Sequence, residues 1–363
     1  MKSFSNLSKN FEYELLDESQ HDSELREKLA VLYTNPFTDI MWWESRDSSL
    51  TSIGYYKLFY YEQSVLKHII LFKYSEKVPK TIMVINQVFH ISIENIENIS
   101  QILFNELPKA KQIYFERLYE PKPKHSPKII FEKTSNDVII LDVPNSMDSY
   151  FKSLGASTRK KINLMKNRIA RDIPEFKVYF LENNDISFDQ IEKIVSLNRN
   201  RMKTKGQKSL LNDVQCNALY QYASMSGFGF LCVCTVNDKI IGGTINGVIG
   251  EHAYMFVISH DVKYNQYSVG QIALIHATQY LIEKKNIKYY HLLFGTLDYK
   301  FRHGGINHEL FDFHVFKRKG VYCLMGKTKR NCRVFYRNLK HILKKNKTFF
   351  SFYNRLMKMK NSI

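Results

Sequence analysis

Two stretches of the sequence decide the fold: Tyr267-Ser268-Val269-Gly270, and His291-Leu-Leu-Phe-Gly295-Thr-Leu-Asp298-Tyr299-Lys300-Phe-Arg302-His-Gly304 farther along the chain. The apolar pattern between them predicts a helix over residues 271–285 and then a strand over residues 287–294. The chain therefore runs from a loop into a helix, and then into a strand that ends in a polar cluster. A helix start offers unpaired N–H groups, so this order suits an anion site beside a strand tip.

The rest of the chain shows the same order of elements twice. Apolar side chains at positions 93, 96, 99, 102, 103 and 107 predict a helix in the first half, between β-type runs and a strand over Gln112–Leu118. In the second half, a meander with turns at Asn237-Asp238 and Gly250-Glu251 precedes the helix at Gly270. Two similar α+β halves in tandem, each with a mixed sheet, are the simplest architecture. Residues 128–143 are predicted to form a hairpin.

The composition indicates two buried cores and no membrane span. Hydrophobic residues make up 44% of the 363 residues, and no apolar run approaches the ~18–20 residues that cross a bilayer. The first residues lack the apolar segment of a secretory signal. Cys232 and Cys234 share one face of a predicted apolar strand, which favours buried packing over metal binding. We therefore expect a reducing, cytoplasmic location and no bound metal.

Most of the net charge of +18 belongs to the C-terminal segment. Residues 313–363 contain fifteen Lys and Arg and no Asp or Glu, and the remainder carries a charge of about +3. Residues 332–345 place an apolar stripe opposite a basic face, which is typical of a helix on an anionic membrane surface. RNA is a rival partner, because basic and aromatic residues also suit it. A solvated helix that packs on the body is the third interpretation.

The second half resembles the GNAT acyltransferase superfamily, and more closely its CelD-like branch, which includes cellulose-biosynthesis-associated acetyltransferases and antimicrobial-peptide-resistance proteins. The resemblance is carried by Tyr267-Ser268-Val269-Gly270, Gly295, Asp298-Tyr299-Lys300, Gly304 and the upstream helix start Ser157-Thr158-Arg159-Lys160-Lys161. FemABX-type aminoacyl transferases, which pair two GNAT-like halves, share the Lys-containing strand end. The resemblance to the GNAT superfamily implies a GNAT-like domain over residues 1–144, a complete GNAT domain over residues 145–320 and a basic amphipathic tail over residues 321–363.

The resemblance implies acyl-CoA, foremost acetyl-CoA, as the co-substrate. Gly270 permits close approach, and the helix after it offers N–H groups and a positive dipole end to a pyrophosphate. An ordinary loop-to-helix junction is the alternative interpretation. The residues predicted to bind the cofactor are Tyr267, Ser268, Val269, Gly270, Gln271 and Gly295.

Four residues are catalytic candidates. Lys300 would stabilise the oxyanion or thiolate that develops when a thioester is attacked. Tyr299 either donates to the thiolate or packs. Asp298 either orients the acceptor or caps a turn. His260 follows the last strand of the meander and is either a general base or an ordinary loop histidine.

Four further residues are predicted to bind substrate: Arg159, Lys160, Arg201 and Trp42. The basic residues at the helix start would favour an anionic partner, although a plain basic helix face explains them equally well. The leading hypothesis is an acyltransferase that modifies an amino sugar, glycan or lipid-linked envelope precursor at the cytosolic membrane face. A FemABX-like transferase that uses charged tRNA and a non-catalytic scaffold are the alternatives. Residues 327–363 would bind the membrane.

Overall fold

The structure of the protein is a computed structural model, which describes residues 2–6, 9–17, 23–39, 42–43, 55–75, 80–119, 129–134, 137–328, 330–332 and 335. The strands in these ranges are β1 (Lys2–Asn6), β2 (Lys9–Asp17), β3 (Tyr56–Glu62), β4 (Val65–Ser75), β5 (Thr81–Val84), β6 (Gln112–Leu118), β7 (Ile129–Lys133), β8 (Val138–Asp142), β9 (Phe176–Glu182), β10 (Gly229–Val236), β11 (Lys239–Ile249), β12 (His252–His260), β13 (Tyr289–Phe294), β14 (Gly305–His308) and β15 (Phe311–Phe316). The helices are α1 (Ser23–Tyr33), α2 (Ile93–Glu106), α3 (Met147–Ser153), α4 (Ala156–Asp172), α5 (Phe188–Thr204), α6 (Asp213–Ala223), α7 (Val269–Tyr280) and α8 (Asp298–Arg302).

The strands form two mixed sheets, and helices cover both faces of each sheet. The N-terminal sheet has the order β1-β2-β3-β4-β5-β6-β15-β7, and the C-terminal sheet has the order β14-β8-β13-β12-β11-β10-β9. Helix α2 packs on one face of the N-terminal sheet and α1 on the other. Helices α4 and α7 pack on one face of the C-terminal sheet, and α5 and α6 on the other. Cys232 and Cys234 of β10 are fully buried in the core under α4 and α7, as predicted.

The two sheets contain the same repeated unit. In the first, antiparallel strands β3, β4 and β5 lead into α2, and β6 returns parallel to β5. In the second, antiparallel strands β10, β11 and β12 lead into α7, and β13 returns parallel to β12. Ser92 caps α2 through a hydrogen bond from the backbone N–H of Asn95. The predicted α+β architecture of two similar halves is confirmed.

The halves exchange one strand each. β8 lies before the predicted boundary at residue 144, yet it pairs with β13 and β14 of the C-terminal sheet. β15 lies before residue 320, yet it pairs with β6 and β7 of the N-terminal sheet. The predicted hairpin over residues 128–143 is therefore wrong, because the apolar run Val138–Leu141 needs two covered faces and obtains them in the interior of the other sheet. The domain boundaries stay a prediction.

A small apolar cluster joins the two sheets. It contains Phe37 and Val88 from the first half, and Tyr222 and Tyr254 from the second. Trp42 lies in the same cluster. This core fixes the first half against the C-terminal sheet.

The predicted tail over residues 327–363 lies outside the described residues, apart from residues 327–328, 330–332 and 335. Residues 321–328 are helical, and Cys323 of this helix is buried against Ile130 and Phe316. No helix among the described residues has both the length and the apolar character of a membrane span.

Candidate active site

The C-terminal sheet opens between its parallel strands β12 and β13. They pair only over His252–Tyr254 and Tyr289–His291, although β12 continues to His260 and β13 to Phe294. Leu293 has a left-handed backbone, with φ of +55°. A bulky residue in this conformation carries roughly 1–3 kcal/mol of strain. The distorted end of β13 therefore does not pair with β12, and this gap between the two strand ends is called the opening.

Helix α7 begins at this open end, and two glycines bring it close to the sheet. Its N-cap residue, Ser268, has φ of +54°. A Cβ atom at Gly242 would lie 2.7 Å from Cγ1 of Val269, and one at Gly270 would lie 3.0 Å from Nδ1 of His260. The glycines thus allow the positive end of α7 to lie against the end of β12. Unpaired N–H groups in that first turn are suited to phosphate oxygens.

His260, a predicted general base, lies at the end of β12 beside the start of α7. Its Nε2 is 2.8 Å from Oδ1 of Asn265. When Nε2 donates to this oxygen, the neutral ring presents the lone pair of Nδ1 as a proton acceptor. Burial lowers the pKa of His260, and the charges of Arg201 and Lys205 lower it further. The imidazole is therefore neutral near pH 7, which is the form that a general base requires.

Arg201 lies close to both His260 and Tyr299, because its charge lowers the pKa of both side chains. For Tyr299 burial is the larger effect, and it raises the pKa of the phenol to about 12. Nε of Arg201 is buried and has no hydrogen-bond partner among the described residues. A guanidinium with an unpaired buried donor is suited to an anionic ligand. The structure thus brings together three predicted site residues, namely His260, Arg201 and Tyr299.

Lys300 holds the strained end of β13. Lys300 is only 3% exposed. Its Nζ donates to the carbonyl oxygens of Leu293 at 3.0 Å and Phe294 at 2.7 Å. Burial lowers the pKa of Lys300 to about 8. The ammonium group therefore acts on the backbone that shapes the opening, and its role as a catalytic cation stays a prediction.

A buried polar network connects α7 to α8 and α3. Nε2 of His303 is 3.4 Å from Oε1 of Gln271, and Nδ1 is 3.3 Å from the hydroxyl of Tyr150. Burial, with a smaller effect of the Arg302 charge, lowers the pKa of His303 to about 4. The network orients Gln271, a predicted cofactor-binding residue. His303 was not among the residues predicted from the sequence, although its position just before Gly304 in the motif is a signal for it.

Three predicted residues lie at the margin of this cluster. The side chain of Tyr267 lies beside Asp172 at the end of α4. Asp298 is exposed in the first turn of α8. Gly295 has φ of +93°, and its N–H donates to the carbonyl oxygen of Asp137. Each residue therefore has a structural position, and the functional roles of all three stay predictions.

Of the four predicted substrate-binding residues, only Arg201 joins the cluster. Arg159 donates from Nη1 to the carbonyl oxygen of Leu154 and so caps the end of α3. Lys160 is exposed on α4. Trp42 is 2% exposed, and its ring centroid lies 4.9 Å from that of Phe256 in the core between the sheets. Trp42 therefore contributes to packing at this position.

A comparison with known families agrees with this geometry. Residues 156–301 match the family model described as "Acetyltransferase (GNAT) domain". This range includes the separated strands, α7, His260 and Lys300. The C-terminal part of the chain therefore has a GNAT fold, and the more specific CelD-like assignment stays a prediction. No curated protein sequence matches the chain.

Solved structures extend the likeness to both halves. A conserved protein of unknown function from Bacteroides thetaiotaomicron is 12% identical, with a TM-score of 0.54 over 82% of this chain and 98% of that one. FemX is 10% identical, with a TM-score of 0.54 over 84% and 97% of the two chains. L-PGS from Bacillus licheniformis is 11% identical, with a TM-score of 0.50 over 84% and 94%. At these identities the likeness shows the fold alone.

Proposed function

We propose that the protein is an acyl-CoA-dependent N- or O-acyltransferase whose acceptor is an amino sugar, a glycan or a lipid-linked cell-envelope precursor. One observation carries the proposal. The start of α7 lies against the neutral imidazole of His260 at the end of β12, and Arg201, whose Nε has no partner among the described residues, is close to the same imidazole. An anion-binding helix start beside a proton acceptor is what acyl transfer from a nucleotide-linked thioester requires.

Each residue has a physical task in this proposal. The first turn of α7 and Arg201 would bind the phosphate groups of acyl-CoA, which supplies the activated acyl group when bound. Nδ1 of His260 would take the proton from the acceptor amine or hydroxyl. Lys300 keeps the end of β13 in its strained shape and so preserves the opening. The contact between His303 and Gln271, which is in the first turn of α7, keeps that turn in position.

Gly270→Glu should weaken acetyl-CoA binding about 30-fold, because it places a carboxylate at the start of α7 where phosphates would bind. An effect of this size corresponds to ~2 kcal/mol, which is moderate for a like charge at short range. Isothermal titration calorimetry of the purified full chain measures it. Gly270→Gln has the same bulk against His260 without the charge, so it should lose only about 3-fold.

The control for general damage is Gly320→Glu, because a Cβ at Gly320 meets no atom within 4 Å. This variant should bind acetyl-CoA as the unmodified chain does. The proposal fails if the unmodified chain does not bind acetyl-CoA. The site assignment fails if Gly270→Glu and Gly270→Gln bind equally well.

Aminoacyl transfer from charged tRNA is the second candidate. The end of α5 and the turn after it carry four basic residues close to the opening: Arg201, Lys203, Lys205 and Lys208. Such a cluster also suits a nucleic-acid backbone. Retention of aminoacyl-tRNA by a chain that does not bind acetyl-CoA would favour this function. A chain that binds neither acetyl-CoA nor aminoacyl-tRNA would favour the remaining hypothesis, a non-catalytic scaffold.

We further propose that residues 327–363 bind an anionic membrane surface at its cytosolic face. The support is the sequence pattern of basic residues with interleaved aromatic and aliphatic side chains. A chain truncated after residue 326 should lose flotation with vesicles that contain phosphatidylglycerol, and neither chain should float with phosphatidylcholine alone. Flotation that survives the truncation would contradict the assignment.

A further inference from the structure

A cavity of about 410 Å³ lies between the two sheets, away from the opening at the end of β12. Its volume is within the ~300–1,000 Å³ range of small-molecule sites. The first half contributes the turn after α1, β4 and the segment around His90, and the second half contributes the first residues of β12 and β13. His252 of this cavity and His260 of the opening are at opposite ends of β12, roughly 26 Å apart along an extended strand.

Five of the twelve histidines of the chain line this cavity. Nδ1 of His252 is 2.9 Å from Nε2 of His291. His308 of β14 lies close enough to His291 and His90 to lower the pKa of both. The fifth, His68, lies on β4, with its ring centroid 6.4 Å from that of Phe89. Histidines from both sheets therefore line the same cavity.

Tyrosine rings complete the walls of the cavity. The Tyr254 ring stacks on His291 with centroids 4.2 Å apart. The Tyr289 ring stacks on His252 at 4.8 Å, and the Tyr119 ring stacks on His90 at 4.7 Å. The lining therefore consists largely of stacked tyrosine and histidine rings, which also carry polar nitrogen and oxygen atoms.

Burial lowers the pKa of His68 to about 4 and also lowers the pKa values of His90, His252 and His291. These rings are neutral near pH 7. The hydroxyl of Tyr119 and Nδ1 of His291 are buried without hydrogen-bond partners among the described residues. No group of three or more acidic, His or Cys side chains in the described ranges is arranged to hold a metal ion. The unpartnered hydroxyl and ring nitrogen are suited to hydrogen bonds with a ligand.

The backbone at the cavity is strained. Thr34 and Val88 both line it, and they have left-handed φ values of +46° and +60°. β-Branched residues avoid this conformation, and strain of this kind concentrates at ligand sites. The strain is maintained by hydrogen bonds, since the hydroxyl of Tyr254 donates to the carbonyl oxygen of Thr34 at 2.7 Å and Nδ2 of Asn35 donates to that of Val88.

The hydrogen-bonding character of the lining selects the class of ligand. A neutral imidazole has one donor and one acceptor, and a tyrosine hydroxyl both donates and accepts. Ligand hydroxyl groups have the same dual character, whereas an ammonium group only donates and a phosphate or carboxylate accepts. Two charged side chains, Lys67 and Asp142, line the exposed part of the cavity and are of opposite sign. We propose that this cavity binds a neutral saccharide of one or two rings.

The aromatic faces fit the proposal as well as the polar edges do. The apolar C–H faces of a pyranose ring pack on tyrosine and imidazole rings, while its hydroxyl groups reach the edge atoms. Binding does not depend on acyl transfer, since the cavity and the opening are separate. Failure of either proposal therefore leaves the other unaffected.

Tyr119→Phe should weaken the binding of N,N′-diacetylchitobiose or cellobiose by about 5- to 10-fold, the size of one lost hydrogen bond. The same substitution should not lower thermal stability, because the hydroxyl that it removes has no hydrogen-bond partner in the described part of the chain. Calorimetry of the full chain at pH 7.5, without acyl donor, measures the affinity. Tyr179→Phe, an exposed position on β9, is the matched control and should bind normally.

Glucosamine, which carries an ammonium group, and glucuronate, which carries a carboxylate, test the preference for a neutral ligand. Both should bind more weakly than the neutral sugars. His252→Gln provides a second variant at a half-buried wall position and should also weaken the neutral disaccharide. The proposal is overturned if neither disaccharide binds the unmodified chain. It is equally overturned if both variants bind as well as Tyr179→Phe does.

Discussion

Lys300→Met should weaken acetyl-CoA binding about 100-fold and lower the free energy of unfolding by ~1–3 kcal/mol. The ammonium group of Lys300 donates to the carbonyl oxygens of Leu293 and Phe294, where β13 is strained. Methionine has nearly the same length but no donor. A loss of about 100-fold corresponds to ~2.7 kcal/mol, the size expected when the end of β13 loses two hydrogen bonds and relaxes into the opening.

The stability change is the difference between two opposing effects. Two partly buried carbonyl groups without donors cost ~1–3 kcal/mol each. Loss of the buried ammonium removes a cost of about 3 kcal/mol, since the pKa of Lys300 is lowered to about 8 and each pKa unit corresponds to ~1.4 kcal/mol. The first effect is the larger one because the methionine side chain still fills the position of Lys300, which is 3% exposed, and so limits the access of water to both carbonyls.

The chain offers a matched control in Lys317→Met. Nζ of Lys317 also donates to two backbone carbonyls, those of Phe104 at 3.1 Å and Pro108 at 2.8 Å, but the Pro108 bond is exposed. Water can replace the lost donor there, so the cost should stay below ~1 kcal/mol and acetyl-CoA binding should not change. Denaturant unfolding and calorimetry of both variants make the comparison.

The outcome also separates two roles for Lys300. If Lys300→Met binds acetyl-CoA normally but transfers no acetyl group, Lys300 is the catalytic cation that the motif predicted. If binding itself is lost, Lys300 is a positioning residue. Normal binding with normal transfer would contradict both roles.

Local sequence patterns were sufficient for the elements around the opening. The glycine at 270 and the apolar periodicity after it predicted α7, which the structure has over Val269–Tyr280. Asn237 and Asp238 both have positive φ at the predicted turn between β10 and β11. These features depend on neighbours in the sequence, so short-range physics determines them.

Long-range pairing was not predictable in the same way. The exchange of β8 and β15 depends on which sheet covers both faces of an apolar strand, and a single sequence contains no local signal for that choice. The contact of Lys300 with β13 carbonyls likewise follows from a short helix that folds back. The five histidines of the cavity come from separate elements, so their spacing in the sequence shows no motif.

Acidification from pH 7.5 to pH 5 should lower the free energy of unfolding by about 4 kcal/mol through His68 and His303 alone. Burial lowers the pKa of each ring to about 4, whereas an unfolded chain has histidines with a pKa of ~6.5. The unfolded chain therefore binds more protons between these values, and stability falls as the pH falls. The loss begins near pH 6.5, reaches ~2 kcal/mol per ring at pH 5 and is complete below about pH 4.

His303→Gln and His68→Gln should each reduce this pH-dependent loss by about 2 kcal/mol, because glutamine binds no proton in this range. The two rings are in different halves, so the double variant should reduce it by about 4 kcal/mol. Other buried histidines, such as His291, add to the total, so each variant is compared with the unmodified chain at both pH values. Urea unfolding of the unmodified chain, the two single variants and the double variant at pH 7.5 and pH 5 provides the eight free energies. An unchanged pH dependence in His303→Gln would mean that His303 is not buried as a neutral ring, and the network that orients Gln271 would then need another explanation.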